Sequence, residues 1–356
     1  MAWCTDFRNV AGASRAWVVI SGAVDVANSD PLAEEYADAH LRPLMPVAGI
    51  DLGGTKLAVA AFSDDGDMLH RESVPLAGRT GSAVGELIAA QIATLVSDHG
   101  CDAAGVCIPG LYRSTRGTVW APNIPGWDDY PLLAELTAAI GPNRHIAIDS
   151  DRAACILGET WRGAARGARD AIFLTVGTGI GAGILSGGRI IRGHGDVAGA
   201  IGWLALDRPF ASRFVRHGCF EDQASGPGLV RVALDLIAAD PDYNGSLLAI
   251  TLVNAAHIFD AHAHGDSIAL KVIDNAVELW GMAAANLVSL FNPEMIVFGG
   301  GVFGPAIQFL DRIKAEAKRW AQPIAIEQVR FVESELGADA GLYGAGYLAL
   351  SAMEQS

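Results

Sequence analysis

The sequence predicts an α/β protein assembled from two halves built on one plan, and three observations predict it. Apolar runs of strand length alternate with helix-spaced runs along most of the chain. A strand, a glycine turn and a second strand occur near Val47 and return near Ala171. The 42 glycines follow no collagen-like period and cluster in short turns between apolar runs, as they do where backbone must approach a ligand closely.

Regular patterning begins at Val47. Val47 to Asp51 reads as a strand, Leu52-Gly53-Gly54-Thr55 as a turn and Leu57 to Phe62 as a second strand, after which Asp64-Asp65-Gly66-Asp67 turns the chain into a third. Val84, Leu87, Ile88, Ile92 and Leu95 recur at helical spacing. Gly105 to Pro109 and His145 to Asp149 read as strands, and the Ala-rich segment from Asp151 to Trp161 as a helix. The early unit then repeats: Ala171 to Val176 as strand, Gly177-Thr178-Gly179 as turn, Ile180 to Leu185 as strand, Ser186-Gly187-Gly188 as turn. Ser267 to Leu290 has the length of a long helix, Met295 to Phe298 of a strand and Ala306 to Trp320 of a helix. The expected organisation is an extension over residues 1–46 with no assigned role, a first lobe over 47–150 and a second over 151–356, with the last helix free to return to the first lobe.

Composition excludes several function classes. At 356 residues, half of them hydrophobic, the chain can bury two cores. A net charge of −15 with no block of Lys and Arg argues against nucleic acid as a partner. No apolar stretch approaches a membrane span, and the run Trp17 to Ala27 is short, carries Asp25 and lacks a small-residue cleavage site. The cysteines (Cys4, Cys101, Cys107, Cys155, Cys219) are odd in number and scattered, which points to free thiols and a cytoplasmic location.

Three glycine turns follow apolar strands: Asp51-Leu52-Gly53-Gly54-Thr55-Lys56, Gly177-Thr178-Gly179 and Gly299-Gly300-Gly301. Without Cβ atoms, such turns can present N–H donors to phosphate oxygens, and Thr55 and Thr178 can add hydroxyls. Asp51, at a strand end, is placed to hold Mg²⁺ through water. A dinucleotide-binding fingerprint at Gly177 fails in context, because a strand and not a helix follows, and the P-loop pattern is absent.

In this order the motifs resemble the repressor/open-reading-frame/kinase (ROK) family of sugar kinases, from Val47 to the C-terminus. The resemblance implies a two-lobed actin-like ATPase (ribonuclease H-like) fold with duplicated sheet-and-helix domains, ATP and Mg²⁺ as cofactors, and a homodimer. It makes the first two glycine turns phosphate motifs and Val297 to Gly301 the adenosine motif. Gly105 to Gly110 and Ala121 to Trp127 are similar to the family's substrate loops, with Gly105 and Asn123 at the sugar, and Gly218 to Gly226 to the segment whose glutamate, here Glu221, grips it. Asp151, in Asp149-Ser150-Asp151, takes the place of the catalytic aspartate, which accepts the proton of the attacking hydroxyl. At a helix start it should stay ionised.

The sequence departs from the family in Gly199-Ala200-Ile201-Gly202-Trp203, where Ala200 and Trp203 replace a Glu and a His that touch sugar hydroxyls. The His is also a zinc ligand in the family, and the accompanying cysteine cluster is missing, so no zinc site is expected. Apolar packing around Trp203 and Phe220 is expected to replace the metal's cross-link. Trp203 would then border the substrate. These exchanges favour an acceptor unlike glucose around the anomeric carbon, such as the C7-cyclitol 2-epi-5-epi-valiolone, phosphorylated on its primary hydroxyl by kinases of this family in antibiotic biosynthesis. A hexose or N-acylhexosamine kinase and a non-catalytic sugar-sensing regulator are the alternatives.

Overall fold

The structure is a computed structural model, which describes residues 45–354. The apolar run Trp17 to Ala27, Cys4 and nearly all of the N-terminal extension lie outside the described residues.

The first lobe is built on β1 (Val47–Leu52), β2 (Lys56–Phe62), β3 (Met68–Pro75) and β4 (Ala103–Ile108), followed by a small hairpin of β5 (Leu111–Arg113) and β6 (Thr118–Trp120), and by β7 (His145–Ser150). Its sheet has the order β3-β2-β1-β4-β7; the first three strands are antiparallel, and β4 and β7 run parallel to β1. The second lobe repeats this plan with β8 (Ala171–Val176), β9 (Ile180–Ser186), β10 (Arg189–Ile190), β11 (Met295–Gly299) and β12 (Arg330–Glu333), ordered β10-β9-β8-β11-β12. The internal repeat read in the sequence is therefore a duplicated sheet.

Strand alternation sorts each sheet into two faces. On β1, Ala48, Ile50 and Leu52 pack outward with Val84, Ile88 and Ile92 of the helix Ser82–His99. On β8, Ile172 and Leu174 join Val272, Ala276 and Trp280 of the long helix Ser267–Phe291. The opposite faces enclose two helices. Leu342 and Ala349 of the helix Ala340–Glu354 pack on Val47, Ala60 and Ala103 of the first sheet. Ile156 of the helix Asp151–Arg162 packs on Phe173, Leu185 and Val297 of the second.

These inner helices cross at very short range. A Cβ on Gly344 would stand 1.8 Å from the Ala154 carbonyl oxygen, and one on Gly158 2.3 Å from that of Ala340. Only glycine allows this approach. Buried Glu159 ties the same helix to the segment before Ala340, accepting from Leu336 N at 3.2 Å and from the Ser334 hydroxyl. The helix that begins at Asp151 is thereby fixed to both lobes.

Candidate active site

Register places three chemically active side chains in one row. Asp51 on β1, Cys107 on β4 and Asp149 on β7 are mutual partners across parallel strands, so all three face the inner layer. The Cys107 thiol donates a hydrogen bond to the Asp51 carboxylate. Burial pushes the Asp51 pKa up, the thiol opposes this, and Asp339 adds a like charge in the same direction as burial. Burial also holds the Cys107 thiol far above its ordinary value, so it acts as a neutral donor. Asp149 accepts from its own loop at Ser150 N, 2.8 Å away, and from Arg192 Nε at 3.0 Å, a bond that links β7 to the segment following β10.

Immediately after Asp149, Ser150 caps the next helix by accepting from Ala153 N at 3.4 Å, and Asp151 opens its first turn. The Asp151 side chain is open to solvent yet ringed by protein, and its pKa rises to about 6. Loss of solvation is the leading cause. The Arg152 charge and a 2.7 Å hydrogen bond from Arg152 N pull it down, and Asp51 pushes it up again. Dehydration therefore outweighs the helix dipole and holds this carboxyl above its ordinary value, while leaving it largely ionised at neutral pH. Asp51 is thus close enough to Asp151 for its charge to bear on it.

The glycine turns divide into two groups. In the first lobe, Gly53 N donates to Lys56 O at 2.9 Å, which tightens the β1–β2 hairpin and leaves Thr55 and Lys56 exposed. In the second, Gly177 N donates to Gly179 O at 2.9 Å, and Gly226 N to Gly177 O at 2.8 Å, which anchors the helix Gly226–Ala239 to the turn. Gly299 makes room for the Phe173 ring, while Gly300, at φ +88°, brings the chain back so that Val302 N reaches Val176 O at 3.0 Å. A Cβ on Gly177 would stand 3.9 Å from Gly301 N, so the second turn and the Gly299–Gly301 run are neighbours. Around Gly54 and Gly301 no atom lies within 4 Å of a Cβ position, which leaves their backbone free to meet an anion.

Glu221 joins this second group. Its Oε2 accepts from Ile180 N at 2.8 Å, and it packs against Gly179 and Gly202, with His217 Nδ1 3.9 Å from its other oxygen. Asn123 lies on the exposed tip of the loop Ala121–Trp127, which Ala121 N closes by donating to Trp127 O at 2.8 Å. Buried Ile124 and Trp127, the latter stacked on Tyr130 at 4.6 Å, hold that tip in place.

Two sequence expectations need correction. Gly105 does not face a substrate: it is buried within β4, and a Cβ there would stand 1.8 Å from the Ala345 carbonyl oxygen. Its role is to let the C-terminal helix rest on the sheet. Trp203 does not pack with Phe220 to replace a metal: its side chain is 57% exposed, while Phe220 is fully buried. The segment is tied by charge instead. Asp222, 2% exposed, meets Arg213 at 3.1 Å and Arg231 at 2.9 Å, and Arg213 reaches Asp235 at 3.4 Å. Among the described residues no group of three or more His, Cys, Asp or Glu side chains could hold a metal.

Sequence reasoning missed Cys107 as a partner of Asp51, Arg192 as a partner of Asp149, and Arg152. Strand spacing carried a signal for Cys107, since it sits at the same place on β4 as Asp51 on β1. Nothing local marked Arg192.

Comparison with known proteins accords with this geometry. The ROK family pattern matches residues 47–352. A glucokinase of Halalkalibacterium halodurans is 32% identical over 314 residues, covering 84% of this chain and 93% of that protein. The crystal structure of a ROK family glucokinase from Streptomyces griseus, in complex with glucose and AMPPNP, is 30% identical with a TM-score of 0.68, over 86% of this chain and 99% of that one. The ROK hexokinase from Thermus thermophilus is 31% identical with a TM-score of 0.73, over 88% and 100%. The duplicated sheet accords with this match, and the chain belongs to the ROK family of sugar kinases, with the actin-like ATPase fold.

Proposed function

We propose that this ATP-dependent sugar kinase places the terminal phosphoryl group on the primary hydroxyl of a hexose-like ring, with Asp151 accepting the hydroxyl proton. The observation that carries the reading is Asp151 itself: a carboxylate at the junction of the lobes, open to solvent, with a pKa of about 6. Such a base is roughly nine-tenths ionised at neutral pH while still basic enough to take a proton, which is the compromise general-base catalysis favours.

The remaining roles follow from position. Gly53, Gly54, Thr55 and Lys56 face the phosphates from the first lobe, and Gly177, Thr178 and Gly179 from the second. Gly299, Gly300 and Gly301, beside Gly177, take the adenosine end. Asn123 and Glu221 hold ring hydroxyls, Glu221 through Oε1, the oxygen that does not accept from Ile180 N, and Trp203 offers an exposed indole at the border. Mg²⁺ fits the donor set, because Asp51 is a hard oxygen ligand whose charge burial and Asp339 disfavour, and a cation would offset both. When bound, that ion would neutralise phosphate charge; Asp51 would hold it, most simply through water.

Similarity to a glucokinase and a hexokinase supports a hexose acceptor. A specific observation favours a second reading: at Ala200 and Trp203 the chain offers a methyl group and an exposed indole where the family resemblance leads one to expect Glu and His. A glucose hydroxyl losing those partners would be left unpaired at a cost of about 1–3 kcal/mol, roughly 5- to 150-fold in selectivity. A C7-cyclitol, with another pattern of oxygens, would avoid it. Comparing kcat/KM for glucose, N-acetylmannosamine, fructose and a C7-cyclitol tests both: a clear preference for glucose removes the cyclitol reading, and no turnover with any acceptor removes the kinase reading in favour of a sugar sensor.

A further inference from the structure

We infer that Arg152 is a second catalytic residue of this site, its guanidinium meeting the phosphoryl group in transit between the Gly177–Gly179 turn and Asp151. The inference rests on the phosphoryl-transfer reading above, and three observations carry it.

The first is direction. The Arg152 carbonyl oxygen lies over Gly183, where a Cβ would stand 1.9 Å from it, whereas the side-chain Cγ and Cδ lie over Gly181, at 3.0 and 2.6 Å from a Cβ there. The side chain therefore runs along β9 from Gly183 toward Gly181, that is, toward the Gly177–Gly179 turn. Gly181 and Gly179 are two strand residues apart, about 7 Å. The guanidinium is attached to Cδ, and we set it at the turn end of that path.

The second is availability. Among the described residues the Arg152 guanidinium makes no hydrogen bond or ion pair, in contrast to Arg192 on Asp149 and to Arg213 and Arg231 on Asp222. Its one resolved electrostatic effect falls on neighbouring Asp151.

The third is local cost. A cation in the first turn of a helix opposes the helix dipole, and a glycine inside β9 forfeits strand packing. Gly181 nevertheless clears the channel that the Arg152 stem fills. The stem packs in that channel, and the charge it carries has no protein partner among the described residues.

The chemistry requires no proton from arginine. The acceptor oxygen attacks the terminal phosphorus, the bond from that phosphorus to the ADP oxygen breaks, and the hydroxyl proton passes to the Asp151 carboxylate. Throughout, negative charge spreads over the three peripheral oxygens of the phosphoryl group. A planar fork of fixed positive charge matches two such oxygens.

The test uses the full chain with ATP and an acceptor that the wild type turns over. Arg152→Gln is expected to lower the plateau kcat about 10²–10³-fold, with acceptor KM within about threefold, and to lose affinity for ADP with aluminium fluoride but not for ADP alone. Added guanidine should restore part of the rate, and Arg152→Lys should fall between Arg152→Gln and wild type. Thermal unfolding close to wild type for either variant separates these effects from misfolding. A plateau kcat within about fivefold of wild type in both variants would overturn the inference. So would a loss confined to a displaced acid limb of the pH profile, which would mean that Arg152 acts only through Asp151. In either case wild-type turnover leaves the kinase reading standing, whereas a wild type with no transfer to any sugar overturns both.

Discussion

The carboxylate of Asp51, near the end of β1, raises the pKa of Asp151, at the start of the helix Asp151–Arg162, so the charge of an acid on one element is felt by an acid on another. With loss of solvation by the surrounding protein as the larger cause, this sets Asp151 at about 6. As a base it must be unprotonated, so kcat/KM should be level above that pH and fall about tenfold per unit below it. A pH–rate profile between 5 and 8 checks the position of the break.

The same shift makes a stability prediction of opposite sense. Folded Asp151 binds its proton more tightly than an ordinary aspartate of pKa 3.8, so ionised Asp151 destabilises the fold. That penalty is absent below the unfolded value, grows as pH rises between about 4 and 6, and is complete above. Asp151→Asn, which keeps the oxygen that accepts from Arg152 N, should therefore melt at a higher temperature than wild type at pH 7, and the difference should vanish toward pH 4. Scanning fluorimetry across that range reads it.

Gly344→Ala adds one methyl group at the crossing of the two inner helices, 1.8 Å from the Ala154 carbonyl oxygen. Alanine's better helix propensity favours the variant by about 1 kcal/mol. Backbone on both sides prevents an inexpensive escape, and overpacking should dominate with a net loss of about 1–3 kcal/mol. The midpoint of urea unfolding measures the outcome.

Asp222→Ala removes the shared partner of Arg213 and Arg231 and should destabilise by about 3 kcal/mol, the lower end for a broken buried pair because both arginines are partly exposed. With this network holding the segment by charge, a chelator should leave the wild-type melting temperature unchanged. Protein purified without added zinc should contain none in stoichiometric amount by elemental analysis.

The architecture was legible because each sheet announces itself through a strand, a glycine turn and an antiparallel strand, and because Asp151 sits where a strand pattern becomes a helix. Gly105 misled for a physical reason: glycine in a strand signals close approach of something, and the sequence cannot say whether that is a ligand or, as here, the carbonyl of Ala345. Trp203 misled because a large apolar side chain reads as core, whereas here it stands exposed while Phe220 is buried. The Asp222 network and the path of Arg152 over Gly181 join residues distant in the chain, and no spacing rule encodes them.

The central claim, transfer from ATP to a hydroxyl with Asp151 as the proton acceptor, is tested most directly by assaying purified wild type and Asp151→Asn side by side with ATP and a saturating sugar or cyclitol acceptor, at pH 7.5. Wild type should release ADP in step with phosphorylated acceptor, and Asp151→Asn should be slower by about 10²–10⁴-fold while binding ATP nearly as well. Turnover by Asp151→Asn at the wild-type rate would contradict the claim.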